Sequence, residues 1–295
     1  MLLEESLMDI TWRSQNDYVK FLYQLTAKIG QSLQDVPIGS LKVNHVRGSV
    51  QFCQRMPGSG KCRHLSAEEY GEAVKLAQKD YNLMVLKLLK AKLKETEEYT
   101  AGNVVRFHDR FAIRFFTGYL YRQLDEIFDT MVPERQAMVK PVVPLTRDFV
   151  QDWLAEPYEG KGFRPDDVTA YYTGKDVRVR SKSELYIANK LDEIGVPNKY
   201  ECPIFLRDKI LYPDFTILDV CTRKLKYLEH CGMMDDPDYV DAFLWKIDFY
   251  QANDIYPGED LILTFESGRR PMNTRTIDRI IRRYFYIDRD SGPKI

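Results

Sequence analysis

The chain has 295 residues, of which 43 are Lys or Arg and 44 are Asp or Glu, so its formal net charge is −1. A hydrophobic fraction of 44% is enough for a packed core and excludes a chain that is disordered throughout. The near-zero net charge excludes a uniformly basic nucleic-acid coat protein, so any polyanion must bind to local basic patches. The length is compatible with one large or two modest domains.

The cysteine pattern and the first residues bear on the cellular compartment. The odd number and irregular spacing of the cysteines argue against a disulfide framework and favour a reducing compartment. Glu4 and Glu5 occupy positions where a signal peptide carries basic residues. No apolar run approaches the roughly 18 residues that a membrane span requires. We therefore expect a soluble cytoplasmic protein. The five cysteines are Cys53, Cys62, Cys202, Cys221 and Cys231.

The first half of the chain predicts helices and one small β-hairpin. Apolar residues recur at helical spacing from Asn16 to Val36, and residues 41–52 alternate in polarity around Arg47, as in a hairpin. Ser66 and Glu69 form a capping-box pattern that begins a long helix. The apolar stripe of that helix predicts ordinary core packing, with a homodimer contact as the alternative. The stripe consists of Tyr70, Val74, Ala77, Tyr81, Met84 and Leu88.

An aromatic-rich segment at 104–128 also predicts a helix, and the prolines within 133–144 indicate a linker. We therefore divide the chain into a mainly helical N-terminal region, 1–145, and an α/β domain, 146–295. The N-terminal region would dimerise the protein or help to hold its substrate.

The second half predicts strands and helices in the order helix, strand, strand, strand, helix, strand, helix. Because a strand, a helix and a strand follow one another near the end, we expect a right-handed crossover between parallel strands. The expected fold class is α/β, with a mixed sheet flanked by helices. The predicted elements are a helix at Ser183–Leu191, strands at Tyr200–Leu206, Ile210–Leu218 and Lys224–Cys231, a helix at Pro237–Ala252, a strand at Leu261–Phe265 and a helix at Thr274–Tyr286.

Three acidic residues stand out by their positions in these elements. Glu184 lies in the first turn of a helix, Asp214 follows Pro213 inside a strand, and Glu229 lies near the end of the next strand. Strand alternation allows Asp214 and Glu229 to point to the same side. Grouped carboxylates raise one another's pKa unless a cation is bound, and Mg²⁺ or Mn²⁺ takes such hard oxygen ligands. We therefore predict a metal site at these three residues.

The three acids resemble the motif of the PD-(D/E)XK nuclease superfamily. Pro213-Asp214 matches its Pro-Asp pair, Glu229 its second acid, and Glu184 the acid of its preceding helix. The resemblance covers roughly residues 165–268, and the surrounding sequence is similar to small bacterial and phage nuclease-like proteins. It implies a restriction-endonuclease-like fold and Mg²⁺-dependent hydrolysis of phosphodiester bonds in DNA by an endonuclease.

One position departs from that motif. The family pattern places a Lys two residues after the second acid, whereas this chain has Cys231 there. The superfamily tolerates a displaced Lys from the following helix, and Lys246 is our candidate. Tyr250 lies one turn later on the same helical face. His230, which faces the other way by alternation, and Glu201 are secondary candidates.

Two basic clusters flank the predicted site and would contact DNA phosphates, with a solvated helix face as the alternative. Asp278 is the one acid among residues 269–283. The first cluster consists of Lys175, Arg178, Arg180 and Lys182, and the second of Arg269, Arg270, Arg275, Arg279, Arg282 and Arg283.

Two rival functions remain open from the sequence. Because Cys231 replaces the expected Lys, the domain is alternatively an inactive nuclease fold that only binds nucleic acid. The second rival is a protein-interaction component of a phage or mobile-element system. A phosphate-binding loop at 57–61 lacks the required flanking Gly and Ser or Thr. The spacing of His45, Cys53, Cys62 and His64 fits no standard zinc pattern.

Overall fold

The computed structural model divides the chain into two compact units, Met1–Asp148 and Phe149–Ile295. The division falls close to the boundary that we predicted after residue 145. Among the described residues, no helix is long and apolar enough to span a membrane. The described residues are 15–58, 60–102, 110–168, 170–207 and 209–285.

The first unit contains helices that pack around one apolar core, together with a three-stranded sheet. The core joins Leu25 of the first helix, Tyr81 of the long helix and Leu120 of the next helix. The predicted helix at 104–128 begins at Arg110 in the structure, and residues 103–109 lie outside the described part. The elements are α1 (Gln15–Ser32), β1 (Ser40–Val46), β2 (Ser49–Arg55), β3 (Cys62–Leu65), α2 (Tyr70–Gly102), α3 (Arg110–Asp129), α4 (Pro133–Gln136) and α5 (Thr146–Ala155), which continues into the second unit.

The buried stripe of α2 agrees with the predicted one in part, since Ala77 and Tyr81 are buried as predicted. Tyr70 and Met84 are exposed, whereas Ala73, Leu76 and Val85 are fully buried. The capping prediction holds in part, because the Glu69 carboxylate accepts a hydrogen bond from the backbone N–H of Ser66 at 2.9 Å. Packing within the unit accounts for the buried stripe, and the homodimer remains a prediction.

The predicted hairpin is part of a three-stranded antiparallel sheet. Strand β3, which we did not predict, pairs with β2 on the side opposite β1. The structure also joins Cys53 and Cys62 in a disulfide, where we expected no disulfide framework. The β2–β3 pairing brings the two Cα atoms to 5.7 Å, a separation suited to such a bond. These sulfurs are therefore not available as thiolate ligands for zinc.

The second unit is mixed α/β, as predicted. Its elements are β4 (Tyr171–Tyr172), β5 (Arg178–Val179), α6 (Lys182–Glu193), β6 (Asn198–Tyr200), β7 (Ile204–Leu206), β8 (Lys209–Leu211), β9 (Phe215–Asp219), β10 (Lys224–Cys231), α7 (Pro237–Gln251), β11 (Leu261–Phe265) and α8 (Thr274–Phe285). The four-stranded sheet has the order β11-β10-β9-β6, in which only β10 and β11 are parallel. Helix α7 connects these two strands, which confirms the predicted helical crossover between parallel strands.

Two predicted strands are interrupted in the structure. The strand predicted at 200–206 is broken after Tyr200, because Glu201 has a left-handed backbone with φ of +44°. The strand predicted at 210–218 is broken around Pro213, which has no N–H to donate to a ladder. Asp214 therefore lies immediately before β9 rather than inside a strand. The carbonyl oxygen of Asp214 accepts a hydrogen bond from the Glu201 N–H at 3.1 Å, so this bond joins the two points at which the strands are interrupted.

The sheet separates two apolar clusters. On one face, Phe215, Leu228 and Ile262 pack with Ile187 of α6 and Ile281 of α8. On the other face, the strand residues Tyr227 and Leu261 pack with Tyr250 of α7, and the tyrosine rings stack at a centroid distance of 6.3 Å. Strand alternation puts Glu229 on the face of Tyr227. The second acid is therefore directed toward α7.

Candidate functional site

The two central acids face each other across the end of a β-ladder. Strands β9 and β10 are antiparallel, and the last pair in their register is Phe215 with Leu228. Continuing that register by one residue sets Asp214 opposite Glu229 on the same face. Like charges directly opposite each other are destabilising, so this pairing needs a compensating cation.

One protein cation already contacts Glu229. The Nζ atom of Lys246 lies 2.6 Å from Oε1 of Glu229, and the Tyr250 hydroxyl donates to the same oxygen at 2.7 Å. Both side chains come from α7, in which positions 246 and 250 are one turn apart. The Glu229 side chain is 7% exposed, so this ion pair is largely shielded from water. The structure thus brings together Glu229, Lys246 and Tyr250, which we selected from the sequence.

Asp214 experiences an excess of negative charge. Burial, followed by the charges of Glu229 and Glu184, raises the pKa of its carboxyl group well above 3.8, and the Lys246 charge and a hydrogen bond from His230 oppose the shift only in part. That bond runs from the His230 backbone N–H to Oδ2 at 2.6 Å. Ionisation of Asp214 is therefore less favourable than that of an exposed carboxyl group, and an approaching cation would counteract this effect.

Glu184 is held by hydrogen bonds at the beginning of α6. Its Oε2 atom accepts from the Tyr200 hydroxyl at 2.6 Å and from the Arg180 backbone N–H at 2.9 Å. Its Oε1 atom accepts from the hydroxyl of Ser181, the N-cap residue, at 3.0 Å. These contacts give Glu184 a capping role at the beginning of the helix. Its effect on Asp214 is electrostatic, because its negative charge helps to raise the pKa of Asp214.

No group of three or more His, Cys, Asp or Glu side chains spaced to hold a metal ion occurs in the described part of the chain. Mg²⁺ commonly uses only one or two carboxylates and completes its shell with water and phosphate oxygens. Glu184, the third predicted ligand, is hydrogen-bonded on both oxygens, so among the described residues only Asp214 and Glu229 of the three predicted acids stay candidates for such a role.

The secondary candidate Glu201 binds Arg180. Arg180 Nε lies 2.6 Å from Oε1 of Glu201, and Nη1 lies 3.2 Å from Asp167. The Glu201 side chain is 8% exposed, so this pair fixes the left-handed turn that follows β6. Arg180, which we selected for DNA contact, thus has its charge balanced within the protein.

His230 belongs to a polar network on the opposite face of the sheet from Glu229. Its Nδ1 atom lies 2.8 Å from the Thr264 hydroxyl, and its Nε2 atom lies 3.1 Å from Oε1 of Glu266. Glu266 also accepts hydrogen bonds from the Ser183 hydroxyl at 2.7 Å and the Met272 N–H at 2.8 Å. Burial favours the neutral acid, but these bonds outweigh it and lower the pKa of Glu266.

Glu266 is a residue that the sequence analysis missed. It connects the first turn of α6, through Ser183, to the strand that carries Glu229 and His230. The available signal was its position directly after β11, because parallel strands β10 and β11 end at the same edge of the sheet. An acid at the carboxyl end of a buried parallel strand is a standard place to look for a site residue.

Cys231 is buried, and its burial, with the charges of Glu229 and Asp214, raises the pKa of its thiol to about 12. The thiol is therefore neutral at physiological pH and supplies no charge where the family motif has Lys. Positive charge near Glu229 comes from Lys246 instead.

The basic clusters differ in exposure. Arg178 is partly buried, with its guanidinium 4.1 Å from the Phe163 ring, whereas Lys175 and Lys182 are exposed. On α8, Ile277 and Ile281 face the core, which turns the arginines outward. The exposed arginines at or near α8 are Arg269, Arg270, Arg275, Arg279, Arg282 and Arg283.

Comparisons of the chain with protein-family models, with curated proteins and with solved structures found no match.

Proposed function

We propose that the second unit is a divalent-metal-dependent nuclease that hydrolyses phosphodiester bonds in DNA, acting as an endonuclease on a restriction-endonuclease-like fold. The observation that carries this proposal is the placement of Lys246, whose ammonium lies 2.6 Å from Glu229. The register of β9 and β10 sets that acid opposite Asp214. Two acids and one Lys at a sheet end are the groups that the resemblance requires, with the Lys displaced to α7.

The residues present fit a hard divalent cation. Burial, followed by the charges of Glu229 and Glu184, raises the pKa of Asp214, and a bound cation would offset these causes. Asp214 and Glu229 would hold Mg²⁺ or Mn²⁺, and Glu184 would add negative charge from its capping position. When bound, the cation supplies a more acidic water and neutralises charge that develops on the phosphate.

The chain's own groups would position the reacting parts. Tyr250 fixes the Glu229 carboxylate through a buried hydrogen bond, and the His230 N–H fixes Oδ2 of Asp214. Lys246, with a side chain 25% exposed, is placed to donate to a non-bridging oxygen of the scissile phosphate. Preorganised donors of this kind stabilise the charge of a transition state without reorganisation.

The exposed arginines of α8 support DNA as the substrate. Their outward orientation follows from the buried Ile277 and Ile281 on the opposite side of the helix. Lys182 adds an exposed charge at the first residue of α6. These residues would bind phosphates without reading bases, so the binding would weaken strongly with salt.

Nicking of supercoiled plasmid DNA tests the proposal. We expect cleavage with Mg²⁺ or Mn²⁺, none with EDTA, and a loss of at least about 100-fold in Asp214→Asn and Glu229→Gln. Asp241→Asn is the matched control, since Asp241 is an exposed carboxylate on α7. Equal activity in all three variants would refute the proposed site.

A second candidate is a nuclease-like module that binds nucleic acid without cleaving it. The neutral, buried Cys231 thiol favours it, as does the ion pair that neutralises Glu229 without a metal. This candidate predicts DNA retention at low salt together with the absence of nicking at every metal concentration. The plasmid assay and a binding assay on the same preparation distinguish the two functions.

A further inference from the structure

The three-stranded sheet of the first unit has an unusual charge content. Residues 37–65 contain five Lys or Arg residues and no Asp or Glu, although the whole chain has a net charge of −1. The segment covers β1, β2, β3 and the turns between them. Its positive charge is therefore concentrated on one small structural element. The five basic residues are Lys42, Arg47, Arg55, Lys61 and Arg63.

The strand register divides the sheet into an apolar and a polar face. Val43, Phe52 and Leu65 lie side by side and pack on the core of the first unit. The alternate rows therefore point outward. One outward row aligns Lys42 with Cys53 and His64, and the next aligns Ser40 with Arg55 and Cys62. The outer face is thus a flat polar surface on which exposed Lys42, Arg55 and His64 provide the longest side chains.

The basic residues at the ends of the strands extend this surface. Arg47 is exposed at the hairpin turn, where its φ is +50°. At the other end, the Met56 N–H donates to the Lys61 carbonyl at 3.2 Å, and the disulfide between Cys53 and Cys62 closes the same turn. These contacts hold exposed Lys61 near Arg55.

The carboxylates near the sheet form ion pairs with basic residues other than Lys42, Arg47 and Arg55. Glu134 contacts His45 at 2.9 Å, and Glu69 pairs with Arg63. Both basic partners belong to rows of the inner, core-facing side of the sheet. Within the described residues, no carboxylate pairs with Lys42, Arg47 or Arg55. Lys42 and Arg55 on the outer face, together with Arg47 at the adjoining turn, are complementary to a polyanion.

We propose that this outer face, defined by Lys42, Arg47, Arg55, Lys61 and His64, is a second DNA-binding surface that contacts the phosphate backbone. The choice of DNA rests on the proposed function of the second unit. The rows that carry Lys42, Arg55 and His64 hold no exposed large apolar side chain, whereas a stable protein interface has an apolar core. The exposed large apolar residues of the segment lie toward the strand ends, at Ile38, Val46, Val50 and Met56. Its role would be to retain the substrate during cleavage, independently of the metal site.

Binding of the full-length chain to a short fluorescent DNA duplex in EDTA tests this inference, because no cleavage takes place without metal. The test variant is Lys42→Gln/Arg47→Asn/Arg55→Gln, in which Asn suits the left-handed backbone at position 47. The control, Lys20→Gln/Lys87→Gln/Lys90→Gln, removes the same charge from exposed positions on α1 and α2. Arg47→Asn alone serves if the triple variant does not fold.

We expect the test variant to bind at least about tenfold more weakly than the parent, and its log–log salt slope to be smaller by about two to three. The single variant Arg47→Asn should reduce the slope by about one. The control variant should bind like the parent. Equal affinity of test and control variants, or no DNA binding by the parent at about 50 mM salt, would overturn the inference.

Cleavage by the parent and DNA binding by the sheet variant together separate this inference from the proposed function. If the parent never cleaves but the sheet variant loses DNA binding, the binding surface stands and the nuclease proposal fails. If the parent cleaves and the sheet variant binds DNA as tightly as the control, the nuclease proposal stands and the binding surface fails. Asp214→Asn itself should bind DNA in EDTA at least as tightly as the parent.

Discussion

Lys246 of helix α7 contacts Glu229 of strand β10, with 2.6 Å between Nζ and Oε1. Tyr250 donates to the same carboxylate oxygen at 2.7 Å, so two residues one helical turn apart hold one acid. Glu229 stands opposite Asp214 in the continued register of β9 and β10. The arrangement places the Lys246 ammonium beside one of two neighbouring acids at the end of the sheet, while Cys231 lies two residues after Glu229.

The Lys246–Glu229 pair should be visible in folding stability. We expect Lys246→Met and Glu229→Gln each to lower the free energy of unfolding by about 2–4 kcal/mol, because each leaves a shielded group without its partner. The double variant should lose less than the sum of the two single losses. Chemical denaturation of the parent, the two single variants and the double variant in EDTA measures the coupling free energy between Lys246 and Glu229. If the two single losses in unfolding free energy add up to the loss of the double variant, the contact does not contribute to stability.

The raised pKa of Asp214 predicts how pH affects the metal-free protein. A carboxyl group with a raised folded-state pKa stabilises the fold below its unfolded pKa, and this stabilisation is lost as pH rises through the folded value. At neutral pH, Asp214 therefore destabilises the metal-free protein. We expect Asp214→Asn to raise the melting temperature in EDTA at pH 7 but not near pH 4.

The same shift predicts competition between protons and metal. Mn²⁺ should raise the melting temperature of the parent more at pH 8 than at pH 6, because the metal must displace a proton from Asp214. Asp214→Asn should lose most of this stabilisation, whereas Asp241→Asn should retain it. An Asp214→Asn variant whose melting temperature responds to pH and Mn²⁺ as the parent's does would contradict both expectations.

Two arginines of the second unit should respond differently to substitution. Arg180→Ala removes the partner of buried Glu201, so we expect a loss of about 2 kcal/mol in stability. Arg279→Ala, on the exposed side of α8, should leave stability unchanged and reduce the salt slope of DNA binding by about one. Thermal denaturation and fluorescence anisotropy measure the two effects, and the reverse pattern would contradict the assignment.

Repeating patterns predicted the regular elements of the second unit well. The nearly continuous apolar run of Leu261–Phe265 and the helical pattern of α7 gave strand and helix bounds that agree with the structure to within one residue. The breaks beside Glu201 and Asp214 were missed, because apolar residues continue on both sides of them. A left-handed backbone at a Glu depends on a tertiary contact, here with Arg180, that no local pattern indicates.

The site residues were only partly predictable. Glu229 was selected from its strand position, Lys246 from the resemblance and Tyr250 from its helical spacing to Lys246. The structure places all three in contact. Glu184 was predicted as a metal ligand in the first turn of a helix, whereas its oxygens are used for capping contacts in the structure. Glu266 was missed because its partners, Ser183 and His230, are distant in sequence and meet only when β11 lies beside β10.

Glu266 should support the site without contacting substrate. We expect Glu266→Ala to lower the free energy of unfolding by about 2 kcal/mol, because it removes acceptors from Ser183 and from the Met272 N–H. Since the pKa of Glu266 is lowered in the fold, its stabilisation is present above the unfolded pKa of 4.5 and is lost as pH falls below it. Denaturation of parent and variant at pH 7 and near pH 3 should therefore show a difference that shrinks in acid.

The central claim is that Asp214 and Glu229 share one divalent cation. An anomalous-scattering crystal structure of the protein soaked in Mn²⁺ tests it most directly. We predict an anomalous peak within about 2.0–2.3 Å of a carboxylate oxygen from each residue, as expected for a hard cation. Asp214 and Glu229 side chains that diverge, with no peak between them at saturating Mn²⁺, would contradict the metal site and the nuclease proposal with it.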